Sequence, residues 1–401
     1  MRILLSALAC GPGLGSEPGT GWHWTRALAD LGHDVTVLTM SSYREAIQAA
    51  GEDRVDFRYI DIPSSPLPRF TSRLWTVDIY RRWQDAALRH VEAMPEKKFD
   101  VIHHVTWGSL HLGSPLWRLP APLVYGPVGG GQTAPAHYWR YFGRDWPAET
   151  LRTASTGSLL TLNRRCRDTI RNSAVTMVCN SATTAAVRRL GATDIRFMLA
   201  DGLHPDWLAS PRSRPEDVPV VLWVGRLLPR KAPVLAVQAF AELRQTMPAR
   251  MVIAGDGPLR KQVHAAVERF GLTGDVEMLG SVTWNAIKPL YDSASVLLFT
   301  SLRESFGAPF LESLGRGLPV VALDLHGIGD ADVGAAAVKV PLPQEPRDLP
   351  GRLGAALQTV LSDSGWESRS TAAVKWAAQW TWPVKAVAAT QIYQEIAGNG
   401  S

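Results

Sequence analysis

The chain has 401 residues, a net charge of +5, 46% hydrophobic residues and 20% charged residues. That length exceeds one ordinary hydrophobic core and implies two domains of roughly 200 residues each. The balance excludes a disordered or fibrous chain, no apolar run reaches the roughly 18 residues of a membrane-spanning helix, and three cysteines make no disulfide framework and suit a reducing cytoplasm. Excess positive charge fits a polyanionic partner, whether nucleic acid, anionic membrane or sugar nucleotide. No basic tail or aromatic-interleaved basic stripe points to nucleic acid.

The first half alternates strand and helix. Ile3 to Leu8 predicts a short apolar strand, since Leu4 to Cys10 is too short for a secretory core. A glycine-rich loop follows from Gly11 to Gly21, then a helix from Trp22 to Leu31 that stops at Gly32. Strands are expected at Val35 to Thr39, Val55 to Ile60, Val101 to His103 and Pro122 to Tyr125, with a helix from Trp75 to Ala93. This alternation implies a parallel sheet covered on both faces. Residues 133 to 170 break the rhythm. They open with an aromatic stretch from His137 to Trp146 and continue into one predicted helix bearing Leu159, Leu160, Leu162, Arg164, Arg165, Arg167 and Arg171. It reads as a solvated helix packed by its leucines; a lid, an acceptor-binding insertion and a membrane-surface helix stay open. Ala174 to Asn180 resumes the sheet, and Ser181 is the expected cap of the next helix. A linker rich in Pro, Ser and Arg, about Asp201 to Asp217, marks the domain boundary.

The second half repeats the pattern. Strands are expected at Val220 to Val224, Arg250 to Ala254, Val276 to Leu279, Ala294 to Phe299 and Pro319 to Ala322. Helices are expected at Ala232 to Arg244, Pro258 to Phe270 and Phe310 to Gly315, with a last helix near Val384 to Ile396.

Chemistry concentrates at the strand ends of this half. Trp223-Val-Gly-Arg-Leu-Leu-Pro-Arg-Lys231 leaves a strand and enters a helix, placing Gly225, Arg226 and Lys231 at one turn. A diphosphate needs such cations beside a helix N-terminus. Gly255-Asp-Gly257 and Leu279-Gly280 end the next strands. Glu304 and Glu312 then stand eight positions apart, across a loop carrying Ser305, Phe306 and Gly307. Carboxylates accept hydrogen bonds from neighbouring sugar hydroxyls. Taken singly, Glu304 reads as a solvated loop acid, Glu312 as an acid at a helix start and the cations as ordinary surface. Those readings do not explain the ordered set.

The ordered set resembles the donor site of retaining glycosyltransferases with two Rossmann-like domains, the family that includes sucrose synthase and bacterial polysaccharide and antibiotic enzymes. The resemblance implies an α/β chain of two Rossmann-like domains facing a central cleft, the GT-B arrangement. It implies an acceptor domain over residues 1–205 with an insertion near 133–170, a nucleotide-sugar domain over 206–380, and a C-terminal helix in 381–401 returning to the first. It assigns Arg226 and Lys231 to the pyrophosphate and leaving group, and Glu304 to the donor sugar. Glu312 is assigned to the ribose, Ser305, Phe306 and Gly307 to backbone contacts with sugar and phosphate, and Leu279 to the base. On that resemblance Glu304, Arg226 and Lys231 are expected to carry the catalysis.

In the first half, Gly15-Ser-Glu-Pro-Gly-Thr-Gly21 has the wrong glycine spacing for a dinucleotide fingerprint, and no acid closes the second strand. The resemblance places Gly19, Gly21 and Gly130 against donor and acceptor, with Glu17 as an acceptor contact. Where many relatives carry a histidine, this chain has Gly126 and Pro127, which leaves His103, His104 and His137 as candidates. No His or Cys pattern suits zinc, so no metal and no cofactor is expected. The expected partners are a nucleoside diphosphate sugar and a small-molecule acceptor. A membrane-associated transferase acting on a lipid or polysaccharide, and a sugar-nucleotide epimerase of the same architecture, are the alternatives. Peripheral membrane contact and oligomeric state are left open.

Overall fold

The computed structural model describes residues 1–62, 72–94, 98–215 and 218–398. The end of the expected linker at 216–217 and the last three residues lie outside the described residues. The chain divides into two compact units. One comprises Met1–Gly131, Ala154–Gly202 and Trp382–Ser401; the other comprises Gln132–Thr153 and Leu203–Thr381. Both are α/β, and both are Rossmann-like.

The first unit is built on seven strands: β1 (Arg2–Ala7), β2 (Asp34–Met40), β3 (Asp56–Ile60), β4 (Val101–Thr106), β5 (Leu123–Val128), β6 (Val175–Val178) and β7 (Ile195–Phe197). They pair in parallel in the order β3-β2-β1-β4-β5-β6-β7. The central strands, buried on both faces, read as largely apolar runs, whereas the edge strands β3 (Asp56-Phe-Arg-Tyr-Ile60) and β7 (Ile195-Arg-Phe197) are only partly buried. On one face the helix Ser16–Asp30 contributes Trp22, Trp24 and Leu28, and the helix Trp382–Gly398 contributes Trp382, Ile392 and Tyr393. On the other, the helix Ser72–Glu92 contributes Tyr80, Trp83 and Leu88. Each large apolar side chain buried this way stabilises the unit by about 1.5–3 kcal/mol.

The second unit has six parallel strands, β8 (Val220–Val224), β9 (Arg250–Ala254), β10 (Val276–Gly280), β11 (Val296–Phe299), β12 (Val320–Leu323) and β13 (Ala337–Val340). Their order is β10-β9-β8-β11-β12-β13. Connections therefore run outward from β8 to one edge, then return to β11 and run to the other. The reversal leaves a crevice beyond the carboxyl ends of β8 and β11, where open α/β sheets bind ligands.

Three local expectations are corrected. The Gly11–Gly21 stretch is not all loop, because the first helix already begins at Ser16. The single helix expected after residue 158 is broken at Asn163 into a 3-10 segment, Ser158–Leu162, and a helix, Arg164–Asn172; the Asn163 side chain caps the latter by accepting from the Cys166 N–H. The next helix is capped by Asn180 rather than Ser181, its carboxamide oxygen accepting from the Thr183 N–H at 2.8 Å. Within the stretch expected as an insertion, residues up to Thr153 group with the second unit and those from Ala154 with the first.

Candidate active site

The loops after β8 and β11 flank the point where strand order reverses. The first runs through Gly225 and Arg226 to a 3-10 turn, Pro229–Lys231, and then to Ala232 at φ 46°. A left-handed alanine costs about 1–2 kcal/mol, so surrounding contacts must hold it. Thr300, just past β11, supplies them: its hydroxyl contacts the carbonyls of Lys231 at 2.9 Å and Ala232 at 3.1 Å, and accepts from the Trp223 indole at 3.0 Å. The Leu302 N–H donates to the Arg230 carbonyl at 2.8 Å. The two loops are thereby knit together. Neighbouring turns pack against them so closely that a Cβ on Gly255 would stand 1.9 Å from the Gly225 carbonyl oxygen, which leaves room for glycine alone. Gly257 sits against Leu227 in the same layer.

At the centre lies Glu304. Its carboxylate pairs with the Lys231 ammonium and accepts from the Arg230 guanidinium at 2.7 Å. Burial alone would push the Glu304 carboxyl up. The charges of Lys231 and Arg230, with their hydrogen bonds, outweigh that and hold it below the usual carboxylate range. The group is therefore an ionised acceptor at neutral pH. Lys231 Nζ also lies 5.4 Å from the centre of the Phe299 ring. The Arg226 side chain is exposed, with no hydrogen bond or ion pair among the described residues, and Arg230, which the sequence reading did not single out, stands beside Glu304.

Glu312 lies within the helix Ala308–Gly315, which starts after Gly307 at φ 109°. The Tyr291 hydroxyl donates to its carboxylate at 2.7 Å, and the Trp207 indole donates to its carbonyl at 2.9 Å. Tyr291→Phe should lower stability by about 1–2 kcal/mol, because Glu312 is only 8% exposed and its side chain loses a hydrogen-bond donor. Urea denaturation measures this; an unchanged midpoint would show that the bond contributes nothing. Phe306 is a core anchor, stacked on Trp376 and edge-on to Phe310, so its side chain is committed to packing. Leu279 falls where the β10–β9 register skips a residue, and its side chain is partly exposed.

The first unit's candidates are placed differently. Gly19 and Gly21 lie inside the helix Ser16–Asp30, and a Cβ on either would stand 2.1 Å from a carbonyl oxygen, of Leu14 or Ala9. Their need for small size comes from this packing. Gly130 lies at φ 132°, its carbonyl 3.1 Å from the His111 ring. His103 and His104 are fully buried, and burial pushes their pKa values down to about 3 and about 4. His103 donates from Nε2 to the Gly126 carbonyl at 2.7 Å and accepts at Nδ1 from Tyr393 at 2.6 Å. His104 is shared between Ser6 and Tyr80, at 3.1 Å each. Both rings are structural and neutral. His137 is exposed and groups with the second unit.

Comparison with known proteins identifies the enzyme class. Residues 209–334 match the family described as glycosyl transferases group 1, and residues 22–198 match glycosyltransferase family 4. The chain is a glycosyltransferase. It is 28% identical over 323 residues to the 2-deoxystreptamine glucosyltransferase of Streptomyces kanamyceticus, covering 76% of this chain and 80% of that one. The fold matches sucrose-phosphate synthase from Thermosynechococcus elongatus with a TM-score of 0.71 at 19% identity, over 98% of both chains. It matches Anabaena HepE in complex with UDP with a TM-score of 0.61 at 16% identity, over 98% of this chain and 99% of that one. At such identities these structures establish the fold alone.

The glycosyltransferase carries a second layer that the sequence reading missed. Gln132 donates to the Ser305 hydroxyl at 2.7 Å, and Arg152 donates to the Gln132 carbonyl at 2.7 Å. Glu149, nearly buried, bridges Arg152 at 3.0 Å and Arg303 at 2.8 Å. Burial, reinforced by the charge of Arg152, pushes the Arg303 pKa down to about 10. The segment 132–153 thus braces the loop that carries Glu304. Among the described residues, no group of three or more His, Cys, Asp or Glu could hold a metal ion, and no helix is long and apolar enough to cross a membrane.

Proposed function

We propose that this glycosyltransferase moves a sugar from a nucleoside diphosphate sugar to a small-molecule acceptor with retention of anomeric configuration, in the assembly of an antibiotic or other natural product. The observation that carries the reading is Glu304, ionised between Lys231 and Arg230 at the sheet's reversal point. A bound diphosphate would compete for the two cations, and the carboxylate would then turn to the sugar hydroxyls. Arg226, exposed on the same turn, adds a cation for the leaving phosphate, where negative charge grows in the transition state. Leu279 and the Glu312 carboxylate complete the proposed nucleoside contacts, and the backbone of Ser305, Phe306 and Gly307 meets the sugar and phosphate.

With His103 and His104 neutral and enclosed, neither supplies a base. The leaving phosphate oxygen takes the acceptor proton on the face from which it departs, which gives retention. The 2-deoxystreptamine glucosyltransferase, similar over most of its length, supports a small-molecule acceptor.

A panel of nucleoside diphosphate sugars, read by thermal unfolding, tests the donor. Ligand at 100 times its Kd should stabilise the protein by about 2.7 kcal/mol. Protection by none of them would overturn the reading. The anomeric coupling of the transferred sugar, measured by NMR, tests retention.

A further inference from the structure

The first unit contains a pocket of about 70 Å³ whose walls include Ser16, Glu17, Thr20, Gly108, Pro127 and Asp201. That volume accommodates a small polar head group, since one water claims about 30 Å³. Ser16 lies at φ 58°, a left-handed conformation that strains any residue but glycine and sets Glu17 in the first turn of its helix. Among the described residues, the donor to the Glu17 carboxylate is the Gly108 N–H, at 3.3 and 3.4 Å from its two oxygens. Such long contacts leave most of its accepting capacity uncommitted.

The pocket's charge is one-sided. Among the described residues, no Lys or Arg lines it. Burial pushes the Glu17 pKa up to about 7; the Gly108 hydrogen bond opposes this, and the charge of Asp201 adds to it. The Tyr80 hydroxyl also feels Glu17 but is held far above its ordinary pKa by burial. Lys385, which feels Asp201, donates to the carbonyl oxygens of Ala200 at 3.2 Å and Asp201 at 2.8 Å, and lies 4.1 Å over the Trp382 ring. Burial pushes the Lys385 pKa down to about 7, and the charge of Asp201 opposes this, so Lys385 partly offsets the Asp201 charge at lower pH.

We propose that this pocket seats a primary ammonium group of the acceptor between the carboxylates of Glu17 and Asp201. An ammonium offers three donors and no lone pair, matching acceptor-lined walls. Its charge also removes the carboxylate repulsion that a hydroxyl would leave in place. The assignment deepens the proposed transfer reaction and rests on it for the word acceptor; the pocket itself does not.

Glu17 must be ionised to hold the cation, so affinity rises with pH through about 7. Between pH 5.5 and 8 the competent fraction changes by up to about 30-fold. The test compares cyclohexylamine with cyclohexanol by saturation-transfer NMR on the full chain. At pH 8 the amine should bind at least about tenfold more tightly, and the preference should shrink at pH 5.5. Glu17→Gln should abolish the preference. Asp201→Asn should weaken it and move its pH midpoint downward. Equal binding of the two probes, a pH-independent amine preference, or a preference retained in folded Glu17→Gln protein would each overturn the proposal. If Glu17→Gln does not fold, the Asp201→Asn midpoint decides. Binding of nucleoside diphosphate by the wild-type protein, measured alongside, separates the outcomes. Nucleotide binding without amine preference sinks the pocket alone, and the reverse sinks the transfer reading.

Discussion

Glu304→Gln should reduce kcat/KM for sugar transfer by about 100- to 1000-fold, the scale of losing one preorganised electrostatic contact. It should not reduce affinity for the free nucleoside diphosphate. Glu304 occupies both Lys231 and Arg230, so neutralising it frees two cations for the diphosphate. Affinity held or raised, with transfer lost, is the expected pair of results. A variant that transfers normally would remove Glu304 from the mechanism. Stability should fall by about 1–3 kcal/mol, between the small value of an exposed pair and the larger one of a fully buried pair. The pH dependence has a definite sign. The Glu304 pKa is lowered in the folded protein, so its contribution is complete above the ordinary carboxylate value of 4.5 and is lost as pH falls through the lower folded value.

The second large effect separates two cations on one turn. Lys231→Ala should weaken nucleoside diphosphate binding by about 100-fold and also destabilise the protein by about 1–3 kcal/mol, because Glu304 loses a close partner in a largely buried place. Arg226→Ala should weaken binding by about tenfold, with stability changed by less than about 0.5 kcal/mol, because its side chain is exposed and unpaired among the described residues. Calorimetry for binding and urea denaturation for stability measure both pairs of values. Destabilisation by Arg226→Ala without loss of binding would contradict its assignment to the ligand.

The donor half was legible because its chemistry is local. Gly225, Lys231, Gly257, Glu304 and Gly307 each follow a strand whose apolar run is plain, and parallel strands deliver their loops to one edge. No sequence signal singled out Arg230, the arginine that meets Glu304. Arg226 and Arg230 lie on the same turn, and only the bend at Pro229–Ala232 decides which of them points inward. In the first half, the resemblance placed Gly19 and Gly21 against donor and acceptor, and the structure gives them a packing role as well. The helix begins earlier than the apolar periodicity indicates, and the nearby chain backbone occupies the space beside them. A periodic signal starts at the first core residue, whereas Ser16–Asp30 starts with polar and small residues.

Strand-and-helix alternation and the turn glycines determined two α/β halves with parallel sheets, and the resemblance carried by the ordered charges assigned the proposed donor chemistry to the second. Pattern along the chain reports what each segment buries, and parallel sheets allow few topologies. Only the tertiary structure decided that Arg230 meets Glu304, that Glu149 and Arg152 brace its loop, that both strand-borne histidines are closed in, and that Glu17 shares a pocket with Asp201. Those pairings join residues far apart in the chain, and their energies depend on burial and distance, which no local pattern encodes.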